Sequence, residues 1–327
     1  QQTLAIHGEI ANQLVGIINE HLRADWHRHE QIFAAAAALV APFPGLAAFR
    51  LIAAVVAEIG EGVDAFLSDQ VNAAAVAAVA AQQGARVLLS GHPRTLAATV
   101  SVTRGLGLPD PVTPLDVADA DSLSALAPAL KELGVTRLDG LVHSIARADL
   151  DLLGTVLPLE TPGTGGIGPE STARTGERTR GLERAFTVSA ASLPALVDAA
   201  GPLLGLGSSV VTLTFDSARV YPGYGWMGPL KAALEASVRA LAVELGERGV
   251  RVNAISSGPM STTAAGAIPG FEELSRSWSE VAPLGWDTGD ATAVARTAVA
   301  LLSTWMPATS GQTIHVDGGA CVVGRAR

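Results

Sequence analysis

The chain of 327 residues has little cysteine, little charge and few aromatic side chains. Its single cysteine, Cys321, cannot form an internal disulfide or build a zinc site, which indicates a reducing compartment. Charged residues make up only 16% of the chain and give a net charge of −9, which argues against a basic surface for nucleic acid or an anionic membrane. Because hydrophobic residues reach 48%, the chain is expected to bury a core and not to be disordered.

Long apolar runs are also absent. No stretch reaches the ~20 apolar residues that a membrane-spanning helix needs. The longest candidate, residues 32–40, is rich in alanine and ends before Pro42, which is typical of a helix in a soluble protein. We therefore expect a cytoplasmic protein that contacts neither membranes nor nucleic acid.

Two regions are predicted along the chain. Residues 1–50 read as a helical N-terminal extension, because apolar residues between Ile10 and Leu22 recur at helical spacing and a proline-rich break follows at residues 42–45. Residues 51–327 are predicted to form the main domain, since their pattern of elements is continuous to the end.

From about residue 70, short apolar strands alternate with helices. The strands are predicted at residues 86–90, 111–116, 138–145, 208–214, 251–256 and 312–316, and the helices at 73–83, 122–133 and 228–245. Prolines in the strand at 111–116 favour an edge position. Strand–helix–strand units with crossovers of this length imply an α/β fold, a doubly wound parallel sheet of Rossmann-like type.

A Gly/Pro-rich insertion near residues 160–184 interrupts this rhythm. It begins with TPGTGGIGPE at 161–170, and four arginines follow, of which the last is Arg184. The stretch is predicted to be a long loop or a mobile lid. A phosphate cradle is less favoured, because no Gly-Lys-Ser/Thr follows and no strand leads into it.

Tyr224 and Lys231 form the chemical motif of the chain. Their spacing, at the start of the long helix, puts the two side chains within about two turns of each other. A phenol has an ordinary pKa near 10, so it needs help to act as a proton donor at neutral pH. A nearby ammonium lowers that pKa by stabilising the phenolate.

Ordered motifs around this pair point to a family. They read LDGLVHSI at residues 138–145, FD at 215–216, YGWMGPLKAALE at 224–235, RVNAISSGPMST at 251–262, APLGW at 282–286 and ATSGQTIHVDGG at 308–319. Their order and wording resemble the enoyl-acyl-carrier-protein reductase branch of the short-chain dehydrogenase/reductase superfamily, most of all its mycobacterial type. The resemblance covers residues 70–321.

The resemblance implies an NAD(P)H-dependent reduction of an enoyl thioester, of fatty acid or polyketide type, with no metal ion. The implied catalytic residues are Tyr224, Lys231 and Phe215. Tyr224 would bind the thioester carbonyl and stabilise the enolate, which is oxyanion stabilisation by a fixed donor. Lys231 would hold the nicotinamide ribose and support Tyr224, and Phe215 would place the substrate beside the nicotinamide.

The resemblance also implies a set of cofactor-binding residues. They are Asp116, Val117, Ser144, Ile145, Ala146, Lys231, Pro259, Met260 and Thr262. No acidic residue follows the strand that ends at Ser90, whereas Arg94 is available for a 2′-phosphate, so NADPH is slightly favoured over NADH.

The cofactor loop departs from the family pattern. The strand that precedes it lies either at residues 60–64 or at 51–57, and Ala65 stands where the first alignment expects a glycine. Neither placement gives a clear dinucleotide fingerprint. Two hypotheses therefore stand: a reductase, or a fold relative without dinucleotide binding that performs cofactor-independent chemistry such as cyclisation, or acts as a non-catalytic subunit.

Two kinds of partner are expected. One is an acyl or polyketide substrate, carried on an acyl carrier protein. The other is a second copy of the chain: the resemblance implies a dimer or tetramer with an interface through the long helix that carries Lys231. Several alanines on this helix leave small side chains for close packing.

Overall fold

Seven parallel strands form one sheet in the order β3-β2-β1-β4-β5-β6-β7. The computed structural model describes residues 50–54, 70–157, 169–262, 265 and 268–324. The strands are β1 Arg50–Ala54, β2 Arg86–Gly91, β3 Thr113–Pro114, β4 Leu138–His143, β5 Leu204–Thr214, β6 Arg251–Ser257 and β7 Thr313–Val316.

Eight α-helices are described around the sheet. They are α1 Gln70–Gln82, α2 Leu96–Gly105, α3 Ala120–Glu132, α4 Pro169–Phe186, α5 Ser192–Ala200, α6 Met227–Glu244, α7 Phe271–Val281 and α8 Thr292–Leu302. The order in which strands run outward from β1 on one side and from β4 on the other is that of a doubly wound sheet. The predicted α/β Rossmann-like fold is confirmed, and the proline-containing strand β3 lies at the sheet edge as expected.

Strand β1 decides between the two placements of the first strand. It begins at Arg50, and Leu51 pairs with Val87 of β2 on one side and Gly140 of β4 on the other. The position between β2 and β4 is thus taken by β1, which supports the placement at 51–57. Residues 55–69, which include Ala65, lie outside the described residues, as does the predicted N-terminal extension up to residue 49.

Small side chains form much of the core. On one face of the sheet, alanines and valines of α1 and α8 pack against the strands, with Ala77 and Ala298 fully buried. On the other face, larger residues such as Leu193 of α5 and Leu234 of α6 fill the space between helices and sheet. The alanine-rich, aromatic-poor composition thus corresponds to helices that lie close on the sheet.

The arginine-rich half of the predicted insertion is a helix and not a loop. Helix α4 runs from Pro169 to Phe186 and continues through the π-helical turn Thr187–Ala191 into α5. Glutamate, alanine, leucine and arginine from Glu170 onward are favourable helix formers, whereas the glycine cluster that suggested a lid precedes Pro169. The continuous helix Gly176–Leu203 is long and apolar enough to cross a membrane by composition, but half of its most apolar window is buried inside the protein, as in a core helix.

One face of α6 is exposed and built from small residues. Ala232, Ala236 and Ala240 follow each other at one-turn spacing on this face, while Leu234 and Val238 on the opposite face are buried. A face of this kind allows another helix to approach closely. The homo-oligomer stays a prediction.

Candidate active site

A cleft of about 720 Å³, its open mouth included, lies at the carboxyl ends of β4, β5 and β6. Ile145 after β4, Thr214 at the end of β5 and Pro259 after β6 line it from the sheet side. Lys231 lines it from α6, and Asn72 lines it from the first turn of α1. In open parallel sheets, ligands bind in crevices at this edge.

Tyr224 lies in this cleft on a turn that two glycines fix. Gly223 and Gly225 flank it, both with positive φ, at 84° and 52°. A Cβ at Gly223 would collide with the carbonyl oxygen of Pro269, and one at Gly225 would collide with that of Leu152. Only glycine combines this conformation with such close backbone approach, so the position of the Tyr224 ring is set by the backbone on both sides.

Phe215 joins Tyr224 to an aromatic wall. Its ring centroid lies 5.1 Å from that of Tyr224, 4.6 Å from Tyr221 and 5.5 Å from Trp278. The Trp278 indole donates a hydrogen bond of 3.0 Å to the carbonyl oxygen of Asp317, which holds α7 against the turn after β7. Tilted aromatic contacts at these distances are favourable, so the wall is a rigid surface.

Lys231 is buried although it is charged. Only 6% of it is exposed, and its Nζ donates a hydrogen bond of 3.1 Å to the carbonyl oxygen of Leu213 on β5. This contact directs the ammonium toward the end of β5 and the cleft. Tyr224 and Lys231, predicted as a pair, line the same cleft together with Phe215.

His143, behind the cleft, is a fully buried neutral imidazole. Its Nδ1 lies 2.8 Å from the Thr212 hydroxyl, and its Nε2 lies 2.8 Å from the Ser192 hydroxyl, which donates its own proton to the carbonyl oxygen of Val188. The Nε2 nitrogen therefore carries the proton. Burial, and then the positive charge of Lys231, lower the pKa of His143 to about 3.

Asp216 and Tyr221 form a separate pair beside the aromatic wall. Burial alone would raise the pKa of Asp216, but hydrogen bonds from the Ala218 N–H and from Arg219 outweigh it, and the pKa is lowered. The Tyr221 hydroxyl donates to Asp216 at 3.2 Å. Burial and the Asp216 charge raise the pKa of Tyr221 far above its usual value, so Tyr221 keeps its proton.

The structure brings six of the predicted cofactor residues to the cleft. They are Ile145, Ala146, Lys231, Pro259, Met260 and Thr262. Ser144 is fully buried and does not line the cleft.

The remaining predicted cofactor-binding residues, Asp116 and Val117, follow β3, away from this cleft. The Asp116 carboxylate accepts from the Ala118 N–H at 2.9 Å and faces Nε2 of His92 at 3.3 Å. Val117 is buried. His92 follows β2 directly, so the carboxyl ends of two neighbouring strands meet at this pair.

Sequence reasoning gave no role to Glu235, His143 or Trp278. Glu235 is an acid among buried apolar positions of α6, such as Leu234 and Val238, and an acid at such a position is a signal of a specific partner. The partners of these residues come from distant parts of the chain, which the sequence pattern does not reveal.

A doubly wound parallel sheet with a Tyr/Lys pair entering its carboxyl edge defines the class: a Rossmann-like oxidoreductase of short-chain dehydrogenase/reductase type. Among the described residues, no group of three or more His, Cys, Asp and Glu side chains is placed to hold a metal ion.

Comparison with known proteins gives the family within this class. The sequence profile of the enoyl-(acyl carrier protein) reductase family matches residues 68–163 and 165–321, and so spans the region predicted as an insertion apart from residue 164. The chain is 36% identical to the enoyl-[acyl-carrier-protein] reductase [NADH] of Mycolicibacterium smegmatis over 271 residues, 79% of this chain and 94% of the relative.

Two further relatives carry the same enzyme name. The protein of Mycobacterium avium is 34% identical over 272 residues, with the same two coverages. The protein of Synechocystis is 37% identical over 220 residues, which are 66% of this chain and 77% of the relative. The chain belongs to the enoyl-(acyl carrier protein) reductase family and is an oxidoreductase of that type, as its motifs predicted.

Proposed function

We propose that the chain reduces the carbon–carbon double bond of an enoyl thioester carried on acyl carrier protein, with NADH as the reductant. The observation that carries the proposal is the meeting of Tyr224, Lys231 and Phe215 in one cleft at the carboxyl edge of the sheet. The names of the relatives support the reaction and the acyl carrier. The proposed location is the cytoplasm.

The cleft fits a nicotinamide cofactor. It combines apolar side chains that can pack on a flat ring, such as Ile145 and Met260, with the ammonium of Lys231. Asn72 brings the first turn of α1 to the cleft, and a helix N-terminus is a favourable site for a pyrophosphate. This placement supports dinucleotide binding and disfavours the cofactor-free alternative.

NADH is proposed in place of the NADPH that Arg94 suggested. The relatives are named as NADH enzymes. The acid missing after β2 is replaced by Asp116, which approaches His92 at the end of that strand to 3.3 Å. Its negative charge disfavours a 2′-phosphate nearby. Asp116→Asn is expected to reduce the preference for NADH, measured as the ratio of the dissociation constant of NADPH to that of NADH.

The residues of the chain perform the remaining tasks of the reaction. The nicotinamide, when bound, would supply a hydride, which is one proton with two electrons, for the β-carbon. The Tyr224 hydroxyl donates a hydrogen bond to the thioester carbonyl oxygen and stabilises the negative charge that develops there. Lys231 binds the ribose and keeps a positive charge beside Tyr224. Phe215 excludes water from one side of the reacting carbons, and the α-carbon takes its proton from solvent.

An apolar wall opposite the sheet is proposed to bind the acyl chain. Ala265, Ile268, Phe271 and Leu274 line the cleft on this side. Each CH₂ group that an alkyl chain buries contributes about 0.8 kcal/mol of binding free energy. The KM of an enoyl thioester is therefore expected to fall with chain length until the chain extends beyond these residues.

The test is a spectrophotometric assay with the purified full chain. NADH absorbance is followed with a trans-2-enoyl thioester of acyl carrier protein, and the saturated acyl thioester is the control. We expect oxidation of NADH only with the enoyl substrate. NADH that binds, measured by its fluorescence, but is never oxidised by enoyl thioesters of any chain length would contradict the proposal.

A further inference from the structure

Glu235 is a buried acid that the proposed reaction leaves without a task. It is 8% exposed and lies on α6 one turn after Lys231. Its Oε1 accepts from the Thr214 hydroxyl at 2.9 Å, and its Oε2 accepts from the Ser217 hydroxyl at 2.6 Å. Hydrogen bonds to an ionised acceptor are about twice as strong as neutral ones.

The two hydroxyls stand on either side of Phe215 and Asp216. Thr214 is the last residue of β5, and Ser217 follows the two-residue segment. One carboxylate therefore closes a clamp around the part of the chain that carries Phe215, the ring in contact with Tyr224 at 5.1 Å. Lys231, one turn earlier, is bound to the residue before Thr214.

Two successive turns of α6 thus form hydrogen bonds with the same stretch of chain, residues 213–217. The Lys231 ammonium, which makes the first of these contacts, lines the cleft. The Glu235 carboxylate, which makes the second, does not line it. A buried carboxylate loses hydration, so a helix needing only to pack here would favour an apolar side chain. The Glu235 contacts therefore have a purpose other than burial.

We infer that Glu235 is a positioning residue, which holds the segment from Thr214 to Ser217 so that Phe215 keeps its place beside Tyr224. This inference rests on the proposed function. It predicts that loosening the clamp slows turnover and leaves NADH binding almost unchanged, because the residues proposed to bind NADH are untouched.

The test compares Ser217→Ala, Glu235→Gln and the double variant with the native chain. We expect each single variant to lower kcat about tenfold, which is ~1.4 kcal/mol of barrier, and to change the dissociation constant of NADH by less than about twofold. If Glu235 acts through Ser217, the two losses overlap and the double variant is no slower than the slower single variant.

Two matched controls lie on the same helix. Ser237→Ala removes a hydroxyl that donates to the carbonyl oxygen of Ala233, one turn earlier, and Glu244→Gln neutralises an exposed acid. Both are expected to keep native kcat.

Hydrogen exchange measured by mass spectrometry gives a readout that does not depend on activity. Amides of residues 213–217 are expected to exchange faster in Ser217→Ala and Glu235→Gln, with the rest of the sheet unchanged. Native kcat in both variants, or multiplied losses in the double variant, would overturn the inference. If the native chain has no reductase activity, the proposed function is overturned. In that case, unchanged hydrogen exchange at residues 213–217 in Ser217→Ala and Glu235→Gln would refute the clamp by itself.

Discussion

Acid should destabilise this protein through the buried side chain of His143. The imidazole is fully buried and neutral, with a pKa of about 3 in the folded chain against about 6.5 when unfolded. The unfolded state therefore binds a proton below pH 6.5 that the folded state does not accept. The stability that depends on neutral His143 is complete above that pH and is lost as the pH falls from 6.5 toward 3.

The size of the effect follows from these two pKa values. At pH 5 the unfolded imidazole is almost fully protonated and the folded one is not, which lowers the free energy of unfolding by about 2 kcal/mol relative to pH 7. A folded pKa one unit higher would leave this figure nearly the same, because pH 5 would still lie above it.

The assay is urea unfolding at pH 7 and pH 5, for the native chain and for His143→Gln. Glutamine can keep a hydrogen bond to the Ser192 hydroxyl but does not titrate. The variant is expected to be less stable at pH 7, since it loses the contact with Thr212, yet to lose about 2 kcal/mol less than the native chain on going to pH 5. Equal losses in both proteins would refute the reasoning, because the acid effect would then come from other groups.

Four further outcomes are expected. Tyr224→Phe should lower kcat by about 10²–10³ with NADH affinity nearly intact, and equal turnover would remove this residue from the mechanism. Lys231→Ala should weaken NADH binding and activity together; a native dissociation constant would contradict its ribose role. Gly225→Ala should lower the free energy of unfolding by about 1–3 kcal/mol in a denaturant titration, whereas Gly228→Ala, with open space around it, should not. Sedimentation should show a dimer or tetramer at micromolar concentration, and a monomer would count against the exposed face of α6 as an interface.

The sheet was predictable because its strands are short apolar runs between helices. The strands β2, β4, β5, β6 and β7 lie where the pattern placed them, with differences of a few residues at their ends. The edge position of β3 followed from its prolines, which cannot donate to a neighbouring strand. The meeting of Tyr224 and Lys231 followed from their spacing around the start of α6, although Tyr224 itself lies on the turn before this helix.

The remaining features depend on contacts between distant residues. The clamp of Glu235 joins a helix to a turn that precedes it by about 20 residues, and the pocket of His143 is closed by Ser192 from another helix. Local sequence patterns do not indicate which distant residues will become partners. Helix α4 was misread because the glycines that precede it were weighed more heavily than the helix formers that follow.

The central position of β1 has a consequence for how the chain folds. Leu51 pairs with Val87 and with Gly140, so the earliest described strand is completed only when a segment far along the chain has arrived. Contacts of such wide sequence separation require loop closure before they stabilise anything, and they slow folding. Until β4 docks, one side of β1 exposes unpaired backbone groups, which makes the partly folded chain prone to association with other chains. Slow refolding and a yield that falls with protein concentration are the expected signs of this topology.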